Sequence, residues 1–372
     1  VRSRIRKPCR GNSRYATCAI GLALLSGLFL PKLANGLVSR CGAYPSESSQ
    51  ETRHVASPRS NSLPAGRKLL IGYFPSWMEN KSIAGPGKTA LARMPGYINM
   101  VDLAFMKPDA VYAGGLSLQG TGLQFRYDGR MLKRAITTLR HRCPQTRILI
   151  SVGGESYTNW GSYHPQAVAR FVKDFGLDGA DIDFESGNPG CGPGKDGHIH
   201  CLTDTPLLNA VRSTRRLLPR PAILSATGWS VGAYGEGAWR NAQPQSPWTG
   251  MMLALFRSPA ASDLDLVNVM SYDATDRYDP KQALAAYQHY FKGRVAMGIE
   301  APPEDVGGHV TSLAAVRDLT NAVIRRHAAG IMLWSIGKQT LQPSPANPNV
   351  QMIAQQVCRD FHLGGCSAPL PP

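Results

Sequence analysis

The sequence predicts a single (β/α)8 barrel, an α/β architecture of eight parallel strands alternating with helices. Short apolar runs of strand length recur eight times from Lys68 onward. The stretches between them space apolar residues three or four apart, as in Met131, Leu132, Ala135, Ile136 and Leu139, or Val168, Phe171, Val172 and Phe175. Strands separated by helices in this rhythm form parallel sheets. Eight repeats over about 290 residues suit a closed barrel better than an open doubly wound sheet, which has fewer strands and a glycine-rich nucleotide turn after the first. Here the first strand ends Gly72-Tyr-Phe-Pro75, and no phosphate loop follows.

The eight expected strands deliver a distinctive set of side chains to their C-terminal ends, where barrels of this kind carry their function. Leu69–Phe74 brings Tyr73 and Ile98–Phe105 brings Phe105. Arg147–Val152 runs into Ser151-Val-Gly-Gly154, and Gly179–Glu185 carries Asp181, Asp183 and Glu185. Ala222–Thr227 leads to Trp229, Leu264–Tyr272 to Met270-Ser-Tyr-Asp273, Arg294–Ile299 to Glu300, and Gly330–Ser335 to Trp334. The fourth strand is the most informative. Side chains alternate along a strand, so Asp181, Asp183 and Glu185 share one face while Ala180, Ile182 and Phe184 point to the other. Three acids this close cannot ionise independently, and one of them is expected to hold a proton at neutral pH, as a general acid must. On these residues alone an exposed polar strand or a calcium loop fits equally well. The surrounding ring of aromatics, carboxylates and hydroxyls tips the reading toward a sugar cleft, since aromatic faces stack on sugar rings and carboxylates flank glycosidic bonds.

Outside the barrel, residues 1–36 read as an export signal: a basic stretch (Arg2, Arg4, Arg6, Lys7, Arg10, Arg14), an apolar run from Cys18 to Leu30, then Ala34-Asn-Gly36 with small residues at the cleavage positions. The run has 13 residues, well short of the ~20 that span a bilayer. Cleavage near Gly36 leaves 34 basic against 25 acidic residues, a net +9 rather than +16. No basic cluster interleaved with aromatics accompanies that excess, so no nucleic-acid partner is expected. A secreted or periplasmic monomer with no stable membrane association is the expectation. Residues 37–67, rich in serine and proline, read as a flexible lead-in, 68–361 as the barrel and 362–372 as a C-terminal tail.

Six cysteines remain after cleavage, an even count that reads as disulfides in an exported protein. Cys191 with Cys201 and Cys358 with Cys366 are the expected local pairs, leaving Cys41 with Cys143. A zinc site using Cys191, Cys201, His198 and His200 is the alternative, disfavoured by the oxidising compartment and the Cys-x9-Cys spacing. No metal and no cofactor are expected.

Taken together, the motifs resemble those of glycoside hydrolase family 18, the chitinase-like enzymes. Asp178-Gly-Ala-Asp-Ile-Asp-Phe-Glu185 matches the family's DGxDxDxE signature in full, Ser151-Val-Gly-Gly154 its SxGG strand, Met270-Ser-Tyr-Asp273 its MxYD motif, and Trp334 its final-strand tryptophan. The resemblance covers roughly residues 68–361, in order and at strand ends throughout. It implies a retaining mechanism in which the substrate's own 2-acetamido oxygen is the nucleophile and an oxazolinium ion the intermediate. Carried over, Glu185 is the general acid and then base, Asp183 orients the acetamido N–H, Asp181 shares a proton with Asp183 with help from Ser151 and Tyr73, and Tyr272 bonds the acetamido group. Asp273 supports the distorted sugar and Trp334 forms its floor. Trp229 and Met270 complete the substrate side, with core packing the alternative for Met270 and close packing for Ser151 and its glycines. Asp178, off the acidic face, is expected to be structural, and Tyr234, Trp239 and Trp248 either serve as outer sugar platforms or pack the loop that carries them.

The chain departs from many members in one respect. Only 28 residues separate Ala301 from Gly330, room for one helix and not for the α+β insertion that walls the cleft elsewhere in the family. An open, endo-acting cleft follows. The expected function is a secreted endochitinase acting on β-1,4-linked N-acetylglucosamine polymers. The alternatives are an endo-β-N-acetylglucosaminidase acting on N-glycans or peptidoglycan, and a silent glycan-binding protein.

Overall fold

The computed structural model describes residue 41 and residues 62–371 apart from 65, 80–82 and 305–309. The expected export signal and most of the lead-in lie outside the described residues. Eight parallel strands close a barrel: β1 (Leu69–Pro75), β2 (Met100–Met106), β3 (Arg147–Gly153), β4 (Gly179–Asp183), β5 (Ile223–Trp229), β6 (Leu266–Met270), β7 (Arg294–Glu300) and β8 (Gly330–Trp334). Each pairs with its sequence neighbours, and β8 closes on β1. The single (β/α)8 barrel expected from the sequence is the fold observed, because each apolar run is buried on both faces, as parallel strands covered by helices must be.

Among the described residues eight α-helices lie between and after the strands: α1 (Ala90–Arg93), α2 (Gly129–Arg142), α3 (Pro165–Phe175), α4 (Asp204–Leu217), α5 (Leu253–Arg257), α6 (Pro280–Tyr290), α7 (Leu313–Arg325) and α8 (Val350–Asp360). Their starts are chemically marked. The side chains of Asp128, Asp279, Ser312 and Asn349 accept from first-turn amides of α2, α6, α7 and α8, satisfying donors that the helix itself cannot. Leu132, Ala135, Ile136 and Leu139 of α2, and Val168, Phe171, Val172 and Phe175 of α3, are buried against the strands as their spacing predicts. Among the described residues no helix is long and apolar enough to cross a membrane.

The strand N-terminal end of the barrel is plugged, which leaves the other end for chemistry. Leu63 packs on the inner cluster of Leu69, Met100, Leu149, Ile223 and Leu266. Arg147 donates to the Ser62 carbonyl (3.1 Å) and Arg294 to the Pro64 carbonyl (3.0 Å), tying this segment under β3 and β7. Asp178 is the structural acid expected of it: buried, it accepts from Arg140 and from the Ile148 amide, both at 2.8 Å. The three disulfides are Cys41–Cys143, Cys191–Cys201 and Cys358–Cys366, as paired in the sequence analysis. Between β7 and β8 the described residues carry α7 and no strand.

Most strand ends shift by one or two residues from the expected spans, and two of these shifts bear on the site. β4 ends at Asp183, so Glu185 lies beyond the ladder, and β6 ends at Met270, so Tyr272 and Asp273 lie beyond it too. In both cases pairing with β5 runs out there, at Asp183 opposite Thr227 and Met270 opposite Trp229. At Gly179 an added Cβ would sit 1.8 Å from the Ile223 carbonyl oxygen, inside the barrel ladder. Gly179→Ala is therefore expected to cost about 3 kcal/mol or more, or to abolish folding. Gly161→Ala, which meets nothing within 4 Å, should change urea stability by about 0.5 kcal/mol at most.

Candidate active site

The barrel interior is lined with hydroxyls where β4 presents its first acid. Asp181 is fully buried, and four side chains donate to it: Tyr73 Oη (2.8 Å), Ser151 Oγ (2.8 Å), Ser225 Oγ (2.7 Å) and Thr227 Oγ1 (3.2 Å). Register puts them there, because Ser151 and Ser225 are the β3 and β5 partners of Asp181. Ser151 thus has a direct contact. Gly153 has a packing role: its φ is 112°, and a Cβ would lie 2.0 Å from the Asp183 carbonyl oxygen.

Above Asp181 the environment changes. Burial first, then the charges of Glu185, Asp181 and Asp102, push the Asp183 carboxyl well up, and its Oδ1 has no protein partner. Burial also raises Asp181, but its hydroxyl donors pull against that shift. The proton of the pair therefore rests on Asp183. Asp102 on β2, fully buried with neither oxygen partnered, is pushed well up by burial and by Asp181. At the mouth Glu185 is half-buried; desolvation, then Glu155 and Asp273, raise it to about 7, while the Glu155 backbone amide pulls it down. Tyr272 is pushed well up by burial and by Asp183, Glu300, Glu185 and Asp273, so its hydroxyl keeps its proton, which it directs at Met332 Sδ (4.0 Å).

An aromatic surface borders the acids. The Trp334 and Phe105 rings stack at 5.6 Å, Tyr73 meets Trp334 edge-on at 5.9 Å, and Trp77, 44% exposed, extends the row from Phe105 at 6.2 Å. Met270 is buried in the inner cluster against which Trp229, Tyr272 and Trp334 pack, and it pairs with Trp229 across the β5–β6 ladder. Asp273, with φ 49°, brings a carboxylate oxygen within 4.8 Å of those of Glu300 and Glu304, a grouping that could hold a cation. The Lys338 ammonium already bonds Glu300.

The segment after Glu185 is knit to the loop after β5. Trp248 stacks on Trp229 at 4.5 Å and donates its indole N–H to the Ser186 carbonyl (2.9 Å). Glu236 accepts from the Ile199 amide (2.7 Å) and pairs with His198 and Arg257. His200 pairs with Asp196, and Cys191 and Cys201 are bonded to each other, so the zinc alternative has no thiolates. Of the two readings of the loop aromatics, full burial leaves Tyr234 only the packing one, while Trp239 and Trp248 stay half-buried. Tyr234 is fully buried, Trp239 packs on His289 and Tyr290, and Trp248 is spent on Trp229 and Ser186.

Comparison with known proteins adds to this geometry. No family model matches the chain. A chitinase of Plasmodium falciparum is 28% identical over 160 residues, covering 38% of each chain, and exochitinase 1 of Streptomyces olivaceoviridis is 25% identical over 225 residues, covering 55% of this chain and 36% of its own. The chain thus spans little more than a third of these relatives. Among solved structures, a family 18 chitinase from Pseudoalteromonas aurantia superposes with a TM-score of 0.52 at 21% identity, over 72% of this chain and 94% of its own. One from Chromobacterium violaceum gives 0.55 at 15%, over 82% and 87%. The chain is thus similar in sequence to chitinases and shares its barrel fold with family 18 chitinases.

Three residues that line this site carry no motif in the sequence. Ser225 and Thr227 alternate with apolar Leu224 and Ala226 on β5, a visible pattern whose partner only the register reveals. Asp102 sits in an otherwise apolar strand, which was itself the available signal.

The raised acids set a sign for stability. Asp102, Asp181, Asp183 and Glu185 hold protons more tightly folded than unfolded. Their contribution is therefore full below about pH 4 and is lost as pH rises through the folded values, near 7 for Glu185. Asp102→Asn removes one such group, so its stability relative to the parent should improve from pH 4 to pH 7 in urea unfolding. A difference independent of pH contradicts an un-ionised Asp102.

Proposed function

We propose that the protein is an exported endochitinase that hydrolyses β-1,4-linked N-acetylglucosamine polymers with retention at C1. The observation that carries this reading is the graded acid ladder: an anion-ready Asp181 solvated by four hydroxyls, a protonated Asp183 above it, and Glu185 poised near neutrality at the mouth. Such a ladder suits substrate-assisted hydrolysis. Glu185 protonates the glycosidic oxygen, and the leaving sugar departs as the acetamido oxygen closes on C1. Asp183 turns to the acetamido N–H, orients it and stabilises the oxazolinium charge. Asp181 takes up the proton that Asp183 gives up in turning, against the pull of its hydroxyl donors and with the help of its burial. Water, deprotonated by Glu185, then opens the oxazolinium ion and restores the β-configuration.

The remaining residues serve geometry. The Tyr272 hydroxyl, kept protonated, donates to the acetamido group, Asp273 supports the distorted ring, and Trp334 supplies a face for it beside Tyr73 and Phe105. Trp229 completes the substrate side, with Met270 paired to it across the β5–β6 ladder. An intramolecular nucleophile gains its effective concentration only when held in line, so this packing is part of the catalysis. That the described residues between β7 and β8 carry α7 and no strand supports an open cleft and internal cutting. Three disulfides support an oxidising compartment.

Glu185→Gln is expected to lower turnover of a chitooligosaccharide by about 100- to 10,000-fold with binding largely retained; turnover within a few-fold of the parent removes Glu185 from the role. Chitohexaose should be cleaved internally and an N-glycopeptide left intact. Release of the glycan from the peptide instead would redirect the substrate to N-glycan cores.

A further inference from the structure

The strand ladder that fixes Asp181 and Asp183 stops short of Glu185, since the pairing of β4 with β3 and β5 ends at Asp183. Two aromatic side chains flank the acid instead. Before it, Phe184 is buried and stacks on Trp160 with ring centres 4.6 Å apart. After it, the Ser186 carbonyl accepts the Trp248 indole N–H at 2.9 Å. Trp248 is itself firmly placed. Ser246-Pro247-Trp248-Thr249 forms a tight turn in which Thr249 N–H donates to the Ser246 carbonyl (3.0 Å) and Pro247 presets the first central torsion. Ser246 N–H donates to Thr249 Oγ1 (2.9 Å) and Trp248 N–H to Ser246 Oγ (3.3 Å). Gly250 N–H to the Val231 carbonyl (3.1 Å) and Met252 N–H to the Gly232 carbonyl (2.9 Å) fasten this turn to the chain leaving β5. The Trp248 ring lies on that of Trp229, the last residue of β5, at 4.5 Å and 16° from parallel.

The indole N–H is a donor only, and it is aimed from a barrel-anchored ring at the residue next to Glu185. Resting on the reading of Glu185 as the general acid, we propose that Trp248 is a positioning residue for it. Its N–H takes over where the ladder ends and holds the backbone after Glu185, so that the carboxyl group stays in reach of the glycosidic oxygen. The same turn secures the loop that follows, because Cys191 N–H donates to the Pro247 carbonyl (3.4 Å) and Cys191 is bonded to Cys201. The stack on Trp229 ties this support to β5, whose Thr227 pairs with Asp183. Proton transfer to a leaving group is sensitive to small displacements of the acid, so a single backbone bond at this place affects the chemical step.

The test compares kcat/KM for chitohexaose with kcat/KM for a nitrophenyl glycoside of chitobiose. Both constants report the steps up to cleavage of the glycosidic bond, but a sugar needs a proton to leave, whereas nitrophenolate leaves with little help. An acid held out of place therefore costs the first substrate and spares the second. Both substrates meet the same folded fraction, so the ratio of the two constants is unaffected by a variant that folds in reduced yield. Trp248→Phe keeps a stacking ring and loses the N–H, and should lower the chitohexaose-to-aryl ratio about three- to tenfold. Trp248→Leu, which loses the stack as well, should lower it at least as far. An equal loss on both substrates in Trp248→Phe, or no loss on either, overturns the proposal. A ratio that falls only in Trp248→Leu assigns the effect to the stack on Trp229 and overturns it too. Glu185→Gln, which removes the acid itself, should lower the same ratio further than either variant. A ratio that Glu185→Gln leaves unchanged contradicts the general-acid reading beneath the proposal, so the two failures are distinguishable.

Discussion

Burying the Asp181 carboxylate inside a barrel is the constraint on which the site depends. An ionised carboxylate taken out of water without partners is prohibitively costly, so it must be resolvated by the protein or neutralised. The barrel resolvates it with hydroxyls from three strands: Tyr73 of β1, Ser151 of β3, and Ser225 and Thr227 of β5. That need fixes the register of β3, β4 and β5, since a slip of one residue would turn Asp181 toward the helices and Ile182 into the cage. The outward set Ala180, Ile182 and Phe184 enforces the same register from the other side through contacts such as Phe184 on Trp160 at 4.6 Å.

From that anchor the ladder grades with depth and solvation. Asp181 has donors to spare, Asp183 has an oxygen with none, and Glu185 reaches the solvent edge, where neighbouring charges govern its proton. One strand and the turn after it thus carry three carboxyl groups with three different proton affinities, the separation that lets like groups take unlike roles. The cost is visible in Asp102, a further buried acid that must also stay neutral. Stability is sacrificed around the site, as is common where groups are held for chemistry.

Much of this architecture is legible in the sequence, for a definite reason. All eight strands lie where apolar runs were found, because both faces of a parallel strand are buried and composition alone marks it. Alternation along Gly179–Glu185 correctly separated acids from apolar residues, since period two is a property of the backbone. Register is a different matter. Ser225, Thr227 and Asp102 converge on Asp181 only when strands distant in sequence are placed side by side. Strand ends were also overrun by two residues at Glu185 and Tyr272, because a motif continues past the point where pairing stops. For Trp248, Trp239 and Tyr234 the sequence leaves both readings open, because loop aromatics look alike there and only packing separates a platform from a strut, as it does for the fully buried Tyr234.

The central claim is that this ladder drives hydrolysis through the substrate's own acetamido group. Time-resolved proton NMR of a chitooligosaccharide digest tests it most directly, because the C1 configuration of the first-formed product counts the displacements at that carbon. Two displacements, one by the acetamido oxygen and one by water, predict the β-anomer first, with the α-anomer appearing only as mutarotation proceeds. The α-anomer appearing first would mean a single displacement by water and would contradict the account.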